Sequence, residues 1–445
     1  MNKRILKLAI PNIISNISIP LLSSVDTALV GRLDGVYYLG AIAIGGMIFN
    51  FLYWGFGFLR MGTTGLTANA FGGKNERESA LILSRAMIVA LAGSFLLILL
   101  QIPILKLALA IVNTSDDVLH YTGVYFSIRI WDAPAVLILF AIQGWFLGMQ
   151  NARYPMYITI FINLLNIALN VYFIYGLGMK VDGVAYGTVI AQYCGLILAA
   201  VLFFRKYGKK YINTNRARIL VLSGLQRFFT VSRDIFIRTL CLIFTYAFFT
   251  VQSASFGEDI LAVNTILLQL WHLMAYGVDG FAYAAESLTG RYMGARDKKR
   301  FTAAVKLLFA WGMGLGAVFS LMYFIFDWHI LRIFTDNEEL ISLALLYFGW
   351  TIAAPLINSF CFMWDGVYIG ATATGPMRNS MLISSILIFL PAFFLTADLL
   401  GNHAIWFAMT TYMLARGATL LYYAPKHLFR NPAFGGGELE KRLHD

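Results

Sequence analysis

Residues 21–31 read "LLSSVDTALVG", and Asp26 is the first group in the chain whose surroundings demand an explanation. The segment around it is apolar, and no Lys or Arg lies within five positions on either side. A lone carboxylate in hydrocarbon costs several kcal/mol, so it must face protein or a water-filled cavity. Asn163, Asn166 and Asn170 form a second group. They fall at i, i+3 and i+7, which is one face of a helix. Gln143 and Thr188 are further polar residues in apolar runs of the same half. A carboxyl among amides, with no cation fixed beside it, can take up and release a proton in the physiological range. If it meets the two sides of a membrane alternately, it carries protons. The blander alternative is that the amides only bind helices together and that Asp26 stays protonated or paired.

The elements that must position these groups are membrane helices. Of 445 residues 59% are hydrophobic and only 13% charged, about half the charge of a soluble protein. Twelve apolar segments lie near 8–31, 37–63, 80–112, 118–147, 155–177, 183–204, 219–250, 260–288, 301–327, 340–368, 377–399 and 403–424. Each is long enough to cross a bilayer, which takes roughly 20 residues. The first reads as a membrane helix rather than a cleaved leader. The expected fold is an all-α polytopic membrane protein with twelve transmembrane helices in two pseudo-symmetric six-helix bundles. The expected boundaries are an N-terminal lobe over 1–204, a cytoplasmic linker over 205–218, a C-terminal lobe over 219–425 and a cytoplasmic tail over 426–445.

Alternate connections differ in charge. One set includes Lys3, Arg4 and Lys7, the run from Arg205 to Arg218, Arg291 to Arg300, and the C-terminal basic residues. The other holds only Arg32, Lys106, Lys180 and Arg332. The basic side faces the cytoplasm, which places both termini there and the chain in a cytoplasmic (inner) membrane. The net charge of +11 reflects this bias and suits an anionic membrane surface rather than nucleic acid.

The two halves repeat. "FGGKNERES" at 71–79 aligns with "YMGARDKKR" at 292–300 at an offset of 221, and Pro134 and Pro155 align with Pro355 and Pro376. "GWFLG" at 144–148 aligns with "GVYIG" at 366–370 one residue out of step. At the offset of 221, Asp26, Asn166 and Asn170 fall on Ala247, Leu387 and Pro391. Glue required by a shared fold would recur in both halves, so the polar cluster points to a task of the first lobe alone. The second half carries its own acids: Asp234, Asp279, Glu286 and Asp365. Asp234 and Arg238 read as an i, i+4 pair, Arg129 and Asp132 as a local pair, and Asp279 and Glu286 share a face. Structural ion pairs and a part in transport both fit these residues.

Other chemistries lack their residues. There is no Walker A, HExxH, CxxC or GxSxG sequence, and the six histidines form no ligand pattern. The three cysteines lie in apolar runs and read as packing residues. An enzyme is not expected, nor is a cofactor or a resident metal.

Four stretches carry a resemblance over essentially the whole chain. They are "VDTALVGRL" at 25–33, "NIALNVYFIYGLGMKVDGVAYGT" at 166–188, the long run at 233–297, and within it "DGFAYAAE" at 279–286. They resemble the multidrug and toxic compound extrusion (MATE) family, in its DNA-damage-inducible F branch. The resemblance implies export of organic, often cationic or amphipathic, drug-like compounds in exchange for H+ or Na+. It implies that Asp26 is the proton or cation site and that Tyr125, Gln143, Asn166 and Thr188 surround it. It implies a bend of the first helix at Pro11; Pro20, nearer the acid, is a second weak point. Asn170 stands where archaeal relatives carry a second acid. A Na+ site drawing on Asp26, Asn166, Asn170 and Thr188 therefore loses a charge and a hard oxygen ligand, which tilts the reading to H+. Asp365, in "WDGVYIG", is a feature of the branch. A monomer with small-molecule substrates and a lipid bilayer as partners is expected, working by rocker-switch alternating access. A lipid or lipid-linked oligosaccharide flippase of the same superfamily is the second reading, and a non-transport membrane scaffold the third.

Overall fold

The computed structural model describes residues 1–33, 35–112, 114–208, 211 and 221–434. Most of the 205–218 linker and the end of the tail lie outside the described residues. All regular elements among the described residues are helices. Eleven are long and apolar enough to cross a membrane: α1 Asn2–Val30, α2 Val36–Gly72, α3 Glu76–Leu99, α4 Asp116–Gly148, α5 Arg153–Gly176, α6 Val181–Gly208, α7 Gly224–Ser255, α8 Glu258–Gly294, α9 Lys298–Arg332, α10 Glu338–Gly370 and α11 Thr374–Leu400. The twelfth expected segment is α12, Asn402–Ala424, of 23 residues. It is more polar than the others because it faces protein: Trp406, Met409, Tyr412 and Arg416 are all 0% exposed. A residue hidden from lipid need not be apolar.

The chain forms two compact units. One comprises Ile14–Thr67 and Asn75–Phe229, with Phe49, Phe126, Trp145 and Phe146 fully buried. The other comprises Thr230–Asp445 together with Met1–Ile13 and Ala68–Lys74. Its core gathers Phe249, Leu267, Trp271, Tyr323, Trp406 and Tyr412. Helix α1 thus contributes its first turns to one unit and the stretch carrying Asp26 to the other.

The repeat is visible in backbone detail, with an offset that corrects the sequence alignment. The left-handed residues Lys74 and Gln150 recur as Arg296 and Thr372, an offset of 222. The helix caps Asn75 and Asp297 keep the same spacing, accepting from Glu78 N–H at 3.0 Å and Arg300 N–H at 2.9 Å. A Cβ on Gly144 would press on the Arg60 carbonyl, and one on Gly366 on the Ala282 carbonyl. The offset returns to 221 where α5 and α11 begin, at Arg153 and Thr374, because the turn before α11 is one residue shorter. Either offset leaves an apolar residue opposite Asp26, Ala247 or Phe248.

These small residues set helix spacing in the second unit. The "DGFAYAAE" block of α8 packs on α10 there, and a Cβ on Gly366 would lie 3.0 Å from Ala285 Cβ. Gly366→Val is expected to force the helices apart and cost about 1–3 kcal/mol. A Cβ at Gly314 meets nothing within 4 Å, so Gly314→Val serves as the control. Thermal unfolding in detergent should separate the two variants, and equal melting would refute close packing at Gly366.

Candidate functional site

Helix α5 presents its asparagines to α1 and α6, as their spacing requires. Asn163 Nδ2 donates to Ser18 Oγ at 2.9 Å and to the Ser18 carbonyl at 3.2 Å. Seven residues on, Asn170 Nδ2 donates to Asp26 Oδ1 at 2.8 Å. The two contacts advance together along both helices, as they do when two helices run parallel. Asn170 Nδ2 also donates to Asn166 Oδ1 at 3.0 Å, and Asn166 Nδ2 donates to Thr188 Oγ1 at 3.0 Å. Thr188 in turn donates to the Val184 carbonyl at 2.9 Å. A continuous hydrogen-bonded chain therefore runs from Asp26 through Asn170 and Asn166 to α6. Asn170 is 0% exposed and Asn166 3%, while Asp26 is only half-buried. The end of the chain that can ionise is the end open to exchange.

Glycine makes this approach possible. A Cβ at Gly187 of α6 would collide with Asn170 Oδ1. Asn170 Oδ1 itself is buried and accepts no hydrogen bond. Two residues after Asn170 a π-helical turn begins, Tyr172–Gly176, a widening that often marks functional segments.

Asp26 has no cation near it along the chain, but the fold brings one. Arg129 and Tyr125 of α4 lie close enough to interact with it electrostatically. Arg129 donates to Tyr125 Oη at 2.7 Å and lies 4.7 Å from the Phe49 ring centroid. Its Nε is 3.5 Å from Asp132 Oδ2, the expected local pair. Asp132 is 0% exposed and also accepts from the Tyr53 hydroxyl. The first half thus holds a second buried acid, already matched by an arginine. Tyr125 joins the site through Arg129. Gln143 is half-buried on α4 and takes no part in the chain from Asp26 to Thr188.

In the second unit the acids are arranged differently. The expected i, i+4 pair of Asp234 and Arg238 does not form. Asp234 binds Arg378 at 2.9 Å, Thr374 at 3.0 Å and Arg233 at 3.3 Å. Arg238 instead binds Asp365 Oδ2 at 2.6 Å, and Arg416 shares that oxygen. Residues on other helices, Arg378 for Asp234 and Asp365 for Arg238, take the place of the local partner. Asp279 is half-buried on α8 and Glu286 is 2% exposed. No group of three or more His, Cys, Asp or Glu able to hold a metal occurs among the described residues.

Helix α1 is continuous through both prolines. It starts at Asn2, nine residues before Pro11, so Pro11 is interior and leaves the Lys7 carbonyl without its helical donor. Beside it Asn12, 3% exposed, donates its side-chain amide to the Leu8 carbonyl at 2.8 Å. The chain passes from one unit to the other between Ile13 and Ile14, two residues beyond Pro11.

Comparisons with known proteins agree with this architecture. The chain is 37% identical over 426 residues to DNA damage-inducible protein F of Escherichia coli (strain K12), which covers 96% of this chain and 92% of that protein. It is 22% identical over 427 residues to the multidrug export protein MepA of Staphylococcus aureus (strain N315), covering 94% and 92%. The solved structure of the Vibrio cholerae MATE transporter VcmN in the bent form superposes with a TM-score of 0.85 at 19% identity, over 97% of this chain and 98% of that one. The model of the MatE family matches twice, once in each half, over residues 11–172 and 235–394. A repeated match of that extent, on a multi-pass helical membrane protein with this fold, shows that the chain belongs to the MatE family.

Proposed function

We infer that the chain is a secondary antiporter that exports organic, drug-like compounds in exchange for protons, with Asp26 as the exchanging group. The observation that carries this reading is the chain of hydrogen bonds ending on Asp26 Oδ1, half-buried inside a membrane helix. Relatives named for multidrug export support the substrate class. The donor set supports the proton as the coupling ion. Asn170 turns its NH2 toward Asp26, whereas a Na+ ion needs oxygens converging on it. A proton needs only the carboxylate.

The cycle follows from charge. Ionised Asp26 adds one negative charge to a lobe where Arg129 and Asp132 already offset each other. That negative site attracts a cationic cargo. Protonation from outside removes the charge, weakens cargo binding and frees the cargo outward. After the switch of access the proton leaves toward the cytoplasm. Asn170, Asn166 and Thr188 hold the carboxyl in place and do not titrate. The inner-membrane location and cytoplasmic termini belong to the same proposal and rest on the distribution of Lys and Arg.

Helix α1 is the element through which protonation would reach the backbone, with Pro11 as its weak point. Pro11→Ala restores a backbone hydrogen bond and stiffens the helix. Cargo binding at one fixed pH is expected to survive, since no cavity group is lost. The pH dependence of binding should flatten and turnover should fall. An unchanged pH profile with unchanged efflux would show that Pro11 is no hinge. The reading as a whole is tested with purified protein in liposomes. An outward-acidic proton gradient without Na+ should drive dye export, and strict dependence on Na+ would overturn the choice of ion.

A further inference from the structure

A second polar feature lies where α3 and α7 begin. A recess of about 480 Å³ is lined by Arg77, Arg85 and Arg227, with Glu78 as its one acid among the described residues. All of it belongs to the unit containing Asn75–Phe229. Arg77 and Arg227 are exposed, whereas Arg85 is 3% exposed. Arg85 sits nine residues into α3 and reaches back two turns to Glu78 Oε1 at 2.9 Å, as long basic side chains do near a membrane surface. Gly224 opens the recess on the other side, since a Cβ there would press on the Arg85 guanidinium.

Three guanidiniums around one recess repel one another, and Glu78 offsets one of them. The recess carries a net positive charge that an anion would relieve. Its depth narrows the choice. Helices α3 and α7, each long and apolar enough to cross a membrane, begin at Glu76 and Gly224, which puts the recess at the helix ends, where headgroups lie, on the side that the basic connections assign to the cytoplasm. Guanidinium geometry matches phosphate through paired N–H donors. Basic recesses between membrane helices on the cytoplasmic side suit anionic lipid headgroups.

We propose that this recess is a binding site for a phosphate-bearing anion, presented by the headgroup of an anionic membrane lipid. Arg85 is the fixed donor at its floor, and Arg77 and Arg227 close over the phosphate from the rim. Nothing in the proposal depends on which compound the transporter exports.

The test uses the purified full chain in detergent and follows its unfolding temperature. The probes are short-chain phosphatidylglycerol, short-chain phosphatidylcholine and sodium phosphate. Phosphatidylglycerol is expected to stabilise the wild type saturably, and phosphatidylcholine, whose headgroup has no net charge, is not. Arg77→Gln/Arg227→Gln should raise the half-saturating phosphatidylglycerol concentration by about tenfold or more, the size of one charge-assisted contact. Lys298→Gln/Lys299→Gln removes two exposed cations from elsewhere and should leave it unchanged. Arg85→Gln should abolish the effect. Because that buried change can impair folding, the rim pair decides the outcome. Saturation by sodium phosphate in the same range, lost in the rim variant, would keep the phosphate site and assign it to soluble phosphate. Equal responses of the wild type and the rim variant, or equal responses to both lipids, would overturn the proposal.

Discussion

Asp26→Asn is expected to abolish proton-coupled efflux while leaving the folded yield and melting temperature near those of the wild type. The asparagine keeps the size of the side chain and an oxygen that accepts from Asn170, whose donor sits at 2.8 Å in the native protein. It removes a charge that is costly to hold in a membrane helix, so the fold loses nothing. What disappears is the ability to gain and lose a proton. Efflux of a cationic dye, measured in vesicles under an imposed proton gradient, should fall to the level of empty vesicles. A variant that pumps at the wild-type rate would reduce Asp26 to a structural group and move attention to Asp279 and Glu286.

The opposite pattern is expected for Asp365→Ala: loss of the fold rather than of coupling alone. One oxygen of Asp365 accepts from both Arg238, at 2.6 Å, and Arg416. Arg238 is 7% exposed and Arg416 0%. Without the carboxylate both guanidiniums stay buried and lose their common anion. Removing one partner from a buried ion pair costs about 3–5 kcal/mol. The variant should melt well below the wild type and give little monodisperse protein in size-exclusion chromatography. If it melts like the wild type yet no longer transports, Asp365 is a transport group and its pairing is incidental to stability.

Much of this was legible in the sequence, for identifiable reasons. The spans follow from apolar runs as long as a bilayer is thick, and only α12 needed the tertiary structure to explain its polarity. The spacing of Asn163, Asn166 and Asn170 showed that they share a face. It could not show that Asn163 binds Ser18 while Asn170 binds Asp26, because the register of α1 against α5 is set by packing. The spacing of Arg129 and Asp132 predicts a local pair, and that pair forms. Its electrostatic link to Asp26, more than a hundred positions away, leaves no local trace; the one hint is that Arg129 stands a turn from Tyr125. Asp234 and Arg238 had the right spacing to pair, but Arg378 and Asp365 on other helices won the competition. The repeat reads at 221 from Pro155 and Pro376, which the structure keeps, but one residue short for the landmarks before them, because the turn before α11 has lost a residue relative to its counterpart. "DGFAYAAE" was a mark of resemblance, and its small residues prove to set the approach of α8 to α10.

Proton counting decides whether Asp26 exchanges a proton for cargo. Purified protein in weakly buffered detergent is mixed with a cationic cargo at a pH below the midpoint of its pH-dependent binding. Cargo binding is expected to release protons from the wild type and none from Asp26→Asn. Absence of release from the wild type, or equal release from Asp26→Asn, would contradict it.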